Sequence, residues 1–267
     1  MNKKTSNSLT KIFLDTFTIT EETTHWAFGP LNIWGKKVGD ELWIASNTAQ
    51  EGEAKTLMPP EDIAWSRWIF KQKEITIQFA PVLPDRPIVV KPEFPFNIAQ
   101  GGKAKIYVHV PAWISIQQAK KSSKPMLEIP TQTLSKTWFG TTVEGEKCFW
   151  LSSPAKNKLD KKQIMPFELI CPLVIINSFE GELNVAKLAL RGSRLSIFSY
   201  EDQLWTDELR IMYRGTGEVS RITVSGKAPS EIAGAPMITA ARDASSKGLA
   251  AKTFGSLKEL SGFLVHS

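Results

Sequence analysis

Residues 81–116 read PVLPDRPIVVKPEFPFNIAQGGKAKIYVHVPAWISI, and the fold class turns on them. From Lys103 the side chains alternate. Lys103, Lys105, Tyr107 and His109 share one parity, and Ala104, Ile106, Val108 and Val110 share the other. A period of two marks a strand with one buried face. Residues 88–90 form a second β-branched run, and Gln100-Gly101-Gly102 supplies a turn that tolerates positive φ. Pro81, Pro84, Pro87, Pro92, Pro95 and Pro111 cannot donate to a ladder, which confines them to strand ends, edges or bulges. No helix holds prolines at this density. The expectation is a strand pair crossing between two sheets of a sandwich.

The same pattern runs outward in both directions. Residues 11–20 read as a first strand, with Phe13, Phe17 and Ile19 on one parity. Residues 26–38 and 41–46 read as a hairpin around Gly39-Asp40, and 75–79 alternate again. Downstream, strands are expected at 126–129, 133–139, 148–151, 183–190, 194–200, 204–213 and 219–224. Residues 167–177 are nearly all apolar, as in a central strand covered on both faces. Strand signals separated by Gly, Pro and Asn or Asp argue an all-β protein, an antiparallel β-sandwich. It is expected as one large unit or as two in tandem, 11–116 and 125–226, with no helix before residue 228.

Residues 227–267 change character. The stretch 228–252 is rich in Ala, Ser and Gly, carries Pro229 and Pro236, and reads as a linker or flexible tail. Residues 254–265 read as a short amphipathic helix with Leu257, Leu260, Phe263 and Leu264 on one face, a place for a protein partner.

Bulk properties narrow the function classes. A chain of 267 residues with 42% hydrophobic content and nine tryptophans can build a real core. The net charge of +6 is spread along the chain, so an anionic ligand fits better than nucleic acid. Cys148 and Cys171 lie in apolar runs and read as buried free thiols. The N-terminal MNKKTSNSLTKIFLDTF has no apolar core of a signal peptide, and no apolar run is long enough to span a bilayer. A soluble, cytoplasmic protein is expected.

Catalytic motifs do not emerge. His25, His109 and His266 are far apart and the cysteines form no CxxC, so neither a metal nor another cofactor is expected. Gly215-Thr216-Gly217 reads as a hairpin turn, and no GxSxG elbow occurs. His109 reads as a surface histidine. Glu128, Glu144 and Glu146, Glu180 and Glu182, and Asp207 and Glu208 sit at expected turns, where acidic residues gather anyway. No catalytic residue is assigned.

Tryptophan and arginine are the stronger signals. Trp65 and Trp68 are three apart, so on a strand one is buried and the other is presented beside Arg67. Trp113 follows Pro111 at a strand end, and Trp34 and Trp43 are placed for a cross-strand pair. Arg191, Arg194, Arg210, Arg214 and Arg221 would make an anion patch if their strands share a face. The ligand-binding candidates are Arg67, Trp68, Trp113, Arg191 and Arg194. Trp26-Ala27-Phe28-Gly29 before residues 39–46 is echoed by Trp138-Phe139-Gly140 before 145–152, which suggests an internal duplication.

The segments RPIVVKPEFPF, VHVPAWISI after the Gly-Gly turn, LSKTWFG and GEKCFWL are together similar to an uncharacterised prokaryotic domain family of unknown function, over most of residues 25–215. That resemblance implies no activity and carries no catalytic residue. The second half of the central stretch also resembles the opening strands of bacterial immunoglobulin-like domains, an analogy of fold only. The expected function is a non-catalytic binding or scaffolding protein with a protein partner. A module for carbohydrate or an anionic ligand comes next, and a hydrolase with a carboxylate pair third.

Overall fold

A computed structural model describes residues 9–49, 57–119, 124–143, 145–159, 164–165, 167–215, 219–243, 249–251 and 253–254. The chain forms two compact units that interleave in sequence. The first takes Met1–Val82, Pro111–Thr133 and Met165–Phe167; the second takes Leu83–Val110, Leu134–Ile164 and Glu168–Ser267. The division therefore differs from the consecutive halves 11–116 and 125–226. The cause is pairing. Trp113–Gln118 returns to Ile75–Val82, with Ile114 opposite Pro81 and Ile116 opposite Phe79, so the central stretch is itself cut at Val82 and Val110.

The first unit is an antiparallel sandwich of two four-stranded sheets. One runs Thr16–Ile19, Ile75–Val82, Trp113–Gln118, Leu127–Pro130. The other runs Thr24–Phe28, Leu31–Val38, Glu41–Thr48, Ser66–Ile69. The sheets meet through aromatic rings. Trp26 touches Phe17 at 5.6 Å and Phe79 at 5.1 Å between centroids, and Phe28 meets Phe79 at 5.0 Å. Such offset and edge-on pairs add to the burial of large apolar area. The expected hairpin is present, with Val38 opposite Glu41 and Gly39 at φ 59° in the turn. The expected first strand is only half right. Leu9–Leu14 is a helix and the strand begins at Thr16. The helix brings Phe13 onto Phe28 and Phe167 at 6.0 and 6.3 Å, a tertiary contact that outweighs a weak strand pattern.

The second unit is also all β, but its sheets are mixed. In one sheet Gly145–Ser153 pairs antiparallel with Ser135–Gly140 and parallel with Ile88–Pro92, which pairs in turn with Leu188–Leu190. The two β runs of the central stretch thus form, but not as partners. Lys103–Pro111 belongs to the larger sheet, beside Glu168–Asn177. That long strand is the covered central strand expected, buried at seven of its first eight positions.

Gln203–Thr206 and Leu209–Tyr213 both run parallel to Glu168–Asn177. The register advances by one residue between Ile170↔Trp205 and Leu173↔Leu209. Residues 203–213 are thus one strand interrupted by a bulge, which re-aims a side chain. The side chain is that of Asp207, which is fully buried. Its Oδ1 accepts the Ser196 N–H at 3.2 Å. Burial pushes this carboxyl up to about 6, against the main-chain hydrogen bonds it receives.

The region read as a linker is largely built into the fold. Met237–Thr239 pairs with Ile197–Tyr200, Leu249–Ala251 pairs with Ser220–Val224, and Phe254 bridges Leu188. Leu257, Leu260, Phe263 and Leu264 lie outside the described residues. The sequence echo has no structural counterpart. Thr24–Phe28 and Glu41–Thr48 are separated by an intervening strand, whereas Ser135–Gly140 and Gly145–Ser153 pair directly. Both cysteines are free and buried, as expected. Among the described residues no helix is long and apolar enough to cross a membrane.

Candidate functional site

The aromatic and cationic residues singled out by sequence do converge, though not all of those chosen. On the face of the second sheet turned away from Phe17 and Phe79, register places Lys36 opposite Trp43 and Trp43 opposite Arg67. These three side chains stack. Lys36 Nζ lies 5.3 Å from the Trp43 ring and 4.7 Å from the Trp65 ring, and the Arg67 guanidinium lies 4.9 Å from Trp43. The two indoles are 6.2 Å apart. Cations within about 6 Å of an indole face gain roughly 0.5–1 kcal/mol at exposed sites.

Glu41 organises the cluster. Arg67 donates to both of its carboxylate oxygens at 2.8 Å, and Trp43 Nε1 donates to Oε2 at 2.7 Å. These bonds, Arg67's first, hold the Glu41 carboxyl below the usual carboxylate range. The next row is Val38–Glu41–Ile69, and Ile69 is 82% exposed. A row further in, Trp34 is fully buried, stacks on His25 at 5.3 Å and donates Nε1–H to the Leu57 carbonyl at 3.0 Å.

This geometry corrects the choice of tryptophan. Trp65, not Trp68, stands beside Arg67. Trp68 is opposite Leu42, so it points to the sandwich side. Trp34 and Trp43 are not a cross-strand pair, because Trp34 faces Ala45. Trp113 opens its strand as expected, but on the other sheet, opposite Val82 and Pro130. In the second unit Arg191 pairs with Glu146, and Arg194 with Asp243 at 3.2 Å. Both guanidiniums are thus engaged by carboxylates rather than gathered for an anion. His109 is buried, not on the surface. Its Nδ1 is 3.6 Å from Glu168 Oε2, and its main-chain N–H donates to Ser153 Oγ at 3.2 Å.

A second cluster lies in the second unit and was missed in sequence. Lys105 Nζ sits between Glu208 Oε2 at 3.0 Å and Glu231 Oε1 at 2.6 Å. Tyr107 donates to the same Glu231 oxygen at 2.5 Å. Burial opposes ionisation of Glu231, yet the bonds from Lys105 and Tyr107 outweigh it and hold the carboxyl at about 2. Burial, helped by Glu231, pushes the Tyr107 phenol to about 12. Two carboxylates this close suggest acid–base chemistry. However, an ammonium fills the gap between them, and a group held at about 2 has no proton to give at neutral pH. The alternation in 103–110 puts Lys105 and Tyr107 on one face; nothing in the sequence names Glu231, more than a hundred residues away, as their partner.

Residues 13–258 match the family model described as Protein of unknown function (DUF432). The chain belongs to this family. For DUF432 the match covers both clusters, and the family's description assigns no activity to either. No curated protein and no solved structure matches the chain.

Proposed function

We propose that this protein is a non-catalytic binding module, and that it meets another protein on the Lys36–Trp43–Arg67 face of its first unit. The observation that carries the reading is that row itself, with Trp65 beside it and Ile69 projecting 82% exposed at its margin. Trp and Arg dominate protein-binding energetics because they combine large apolar area with directed polar groups. The strand edge adds to it. Phe70 N–H donates to the Asp40 carbonyl, which sets the phase of the ladder. Arg67 and Ile69 therefore turn their own N–H and C=O outward, and Ser66–Ile69 is the last strand of its sheet among the described residues. An exposed edge accepts another strand.

The test is affinity capture from native lysate with the full chain, quantified against a face variant, Trp43→Ala with Ile69→Asp, and a remote variant, Lys136→Ala. The expected result is a protein captured by wild type and the remote variant and lost with the face variant. Capture of nothing above background, or equal capture by all three, overturns the reading.

The pair of half-buried indoles flanked by cations also favours a second reading, an anionic carbohydrate stacked on Trp43 and Trp65. Retention on a heparin column or a glycan array, lost with Trp65→Ala, is its expected signature. No retention removes it.

A further inference from the structure

We propose that Ser230-Glu231-Ile232 is the chain's own occupant of a peptide-binding seat in the second unit. That seat takes, from another protein, a segment that folds into a single 3-10 turn, as this one does, and carries an acidic residue followed by a branched aliphatic one. The inference does not depend on the first unit's face.

The seat has two parts. Lys105 and Tyr107, two apart on one strand, form a carboxylate receptor and converge on a single oxygen of Glu231. Ile232 is 1% exposed and packs in a cluster with Ile170, Phe198 and Trp205, with Ala228 and Ala235 at its margin. A charged anchor beside an aliphatic plug is how short peptides are commonly recognised.

The segment is held as a strap rather than as part of the sheet. Among the described residues, the backbone hydrogen bonds within 227–235 are local: Ile232 N–H to the Pro229 carbonyl and Ala235 N–H to the Ile232 carbonyl. The ladder contacts resume only outside it, Ser225 to Glu208 before and Ser199 to Pro236 after. Gly226 at φ 65° and Gly234 at φ 84° bracket the segment, each with open space where a Cβ would sit. Glycine in this region changes backbone conformation at little steric cost. What fastens the strap to the body is therefore chiefly two side chains, Glu231 and Ile232.

Two features suit the seat to a second occupant. Lys105 keeps Glu208 as a partner when Glu231 leaves, so lifting the strap does not strand its charge. Trp205, part of the same cluster and 2% exposed, has an indole N–H that finds no acceptor among the described residues. A buried donor left unpaired costs about 1–3 kcal/mol. Among the described residues the strap offers this indole no acceptor, one that a longer or more polar segment would supply.

The probe is a fluorophore-labelled synthetic peptide of the strap's own sequence, KAPSEIAGAP, residues 227–236. It is titrated against the full chain by anisotropy. Wild type binds weakly because its own strap competes. Glu231→Gln, which loosens the strap, tightens binding on the order of tenfold, since a larger fraction of molecules has the seat open. Lys105→Met abolishes binding, as does a peptide with Gln in place of its Glu. Tyr107→Phe removes one donor from strap and peptide alike and leaves the apparent affinity near that of wild type; Ile232→Ala, which loosens the strap and leaves Lys105 and Tyr107 in place, tightens binding and serves as a second variant if Glu231→Gln does not fold. Hydrogen exchange provides the independent readout: amides of 227–235 exchange faster than those of 203–213, and faster still in Glu231→Gln. Folded Glu231→Gln or Ile232→Ala that binds the peptide no better than wild type, or exchange in 227–235 as slow as in the sheet, overturns the proposal.

Discussion

Tyr107 donates its phenolic O–H to Glu231 at 2.5 Å, tying a strand in the first half of the chain to a turn 124 residues later. Because Lys105 shares the acceptor, the carboxylate is stabilised in its charged form and its folded-state value is about 2, below the ordinary 4.5. A depressed acid contributes stability that is fully present above about pH 4.5 and is lost as pH falls towards about 2. Partial exposure discounts the effect to about 1–2 kcal/mol. Glu231→Gln is expected to lose that amount at pH 7 and to show a shallower acid loss. Denaturant melts at pH 7, 4 and 2.5 read it; parallel curves for the two proteins contradict it.

Asp207 titrates with the opposite sign. Its carboxyl is fully buried in the bulge and stands at about 6, above the ordinary 3.8. A raised acid makes folding less favourable as pH climbs from about 4 to about 6, because over that range the unfolded state has released its proton while the folded state still holds one. A shift of about two units corresponds to at most about 3 kcal/mol. Asp207→Asn keeps an acceptor for the Ser196 N–H and carries no charge. It is expected to match wild type near pH 4 and to exceed it by about 1–3 kcal/mol at pH 7.5. A variant less stable than wild type at pH 7.5 would mean that the buried charge is compensated.

The class of fold was readable because strands announce themselves locally. Alternation at 103–110, the apolar run at 167–177 and the Gly39-Asp40 turn each correspond to an observed element. Pairing was not readable. Ile88–Pro92 finds Gly145–Ser153 and Leu188–Leu190, partners set by tertiary packing and not by any local signal. For the same reason the interleaved units were missed. The candidate face was half legible. Arg67 stacks on Trp43, while the parity of Trp65 and Trp68 depends on which side of Ser66–Ile69 meets Leu42. Over the described part of residues 228–252, composition misleads. Small residues looked like a linker, but Ile232 and the Met237–Thr239 strand dock there.

Cys148 and Cys171 are buried, and burial pushes their thiols to about 11 and about 12. Glu146 adds to the shift of Cys148. Only the thiolate attacks a disulfide reagent, so native protein at pH 8 is expected to show almost no reaction with an aromatic disulfide over minutes. Both thiols react at once in 6 M guanidinium. One equivalent reacting promptly in the native state would show that a thiol is reached from solvent.

Gly35 is the position where the first unit's sandwich depends on a missing side chain. It lies in Leu31–Val38, opposite Thr24 on one side and Ile44 on the other, and a Cβ there would sit 2.9 Å from the Trp26 ring. Trp26 has little freedom to give way, since Phe17 and Phe79 hold it from the facing sheet. Gly35 is not a positive-φ glycine, so alanine there meets a steric problem rather than a backbone one. Overpacking of this kind costs roughly 1–3 kcal/mol. Gly35→Ala is expected to lose that much in denaturant melts. A second change, Trp26→Phe, removes the ring atoms that clash. The double variant should then lose less than the sum of the two single variants, a coupling that arises only when the two sites touch. Strict additivity would mean that alanine at 35 acts elsewhere, and the close approach of this glycine to Trp26 would not be what selects it.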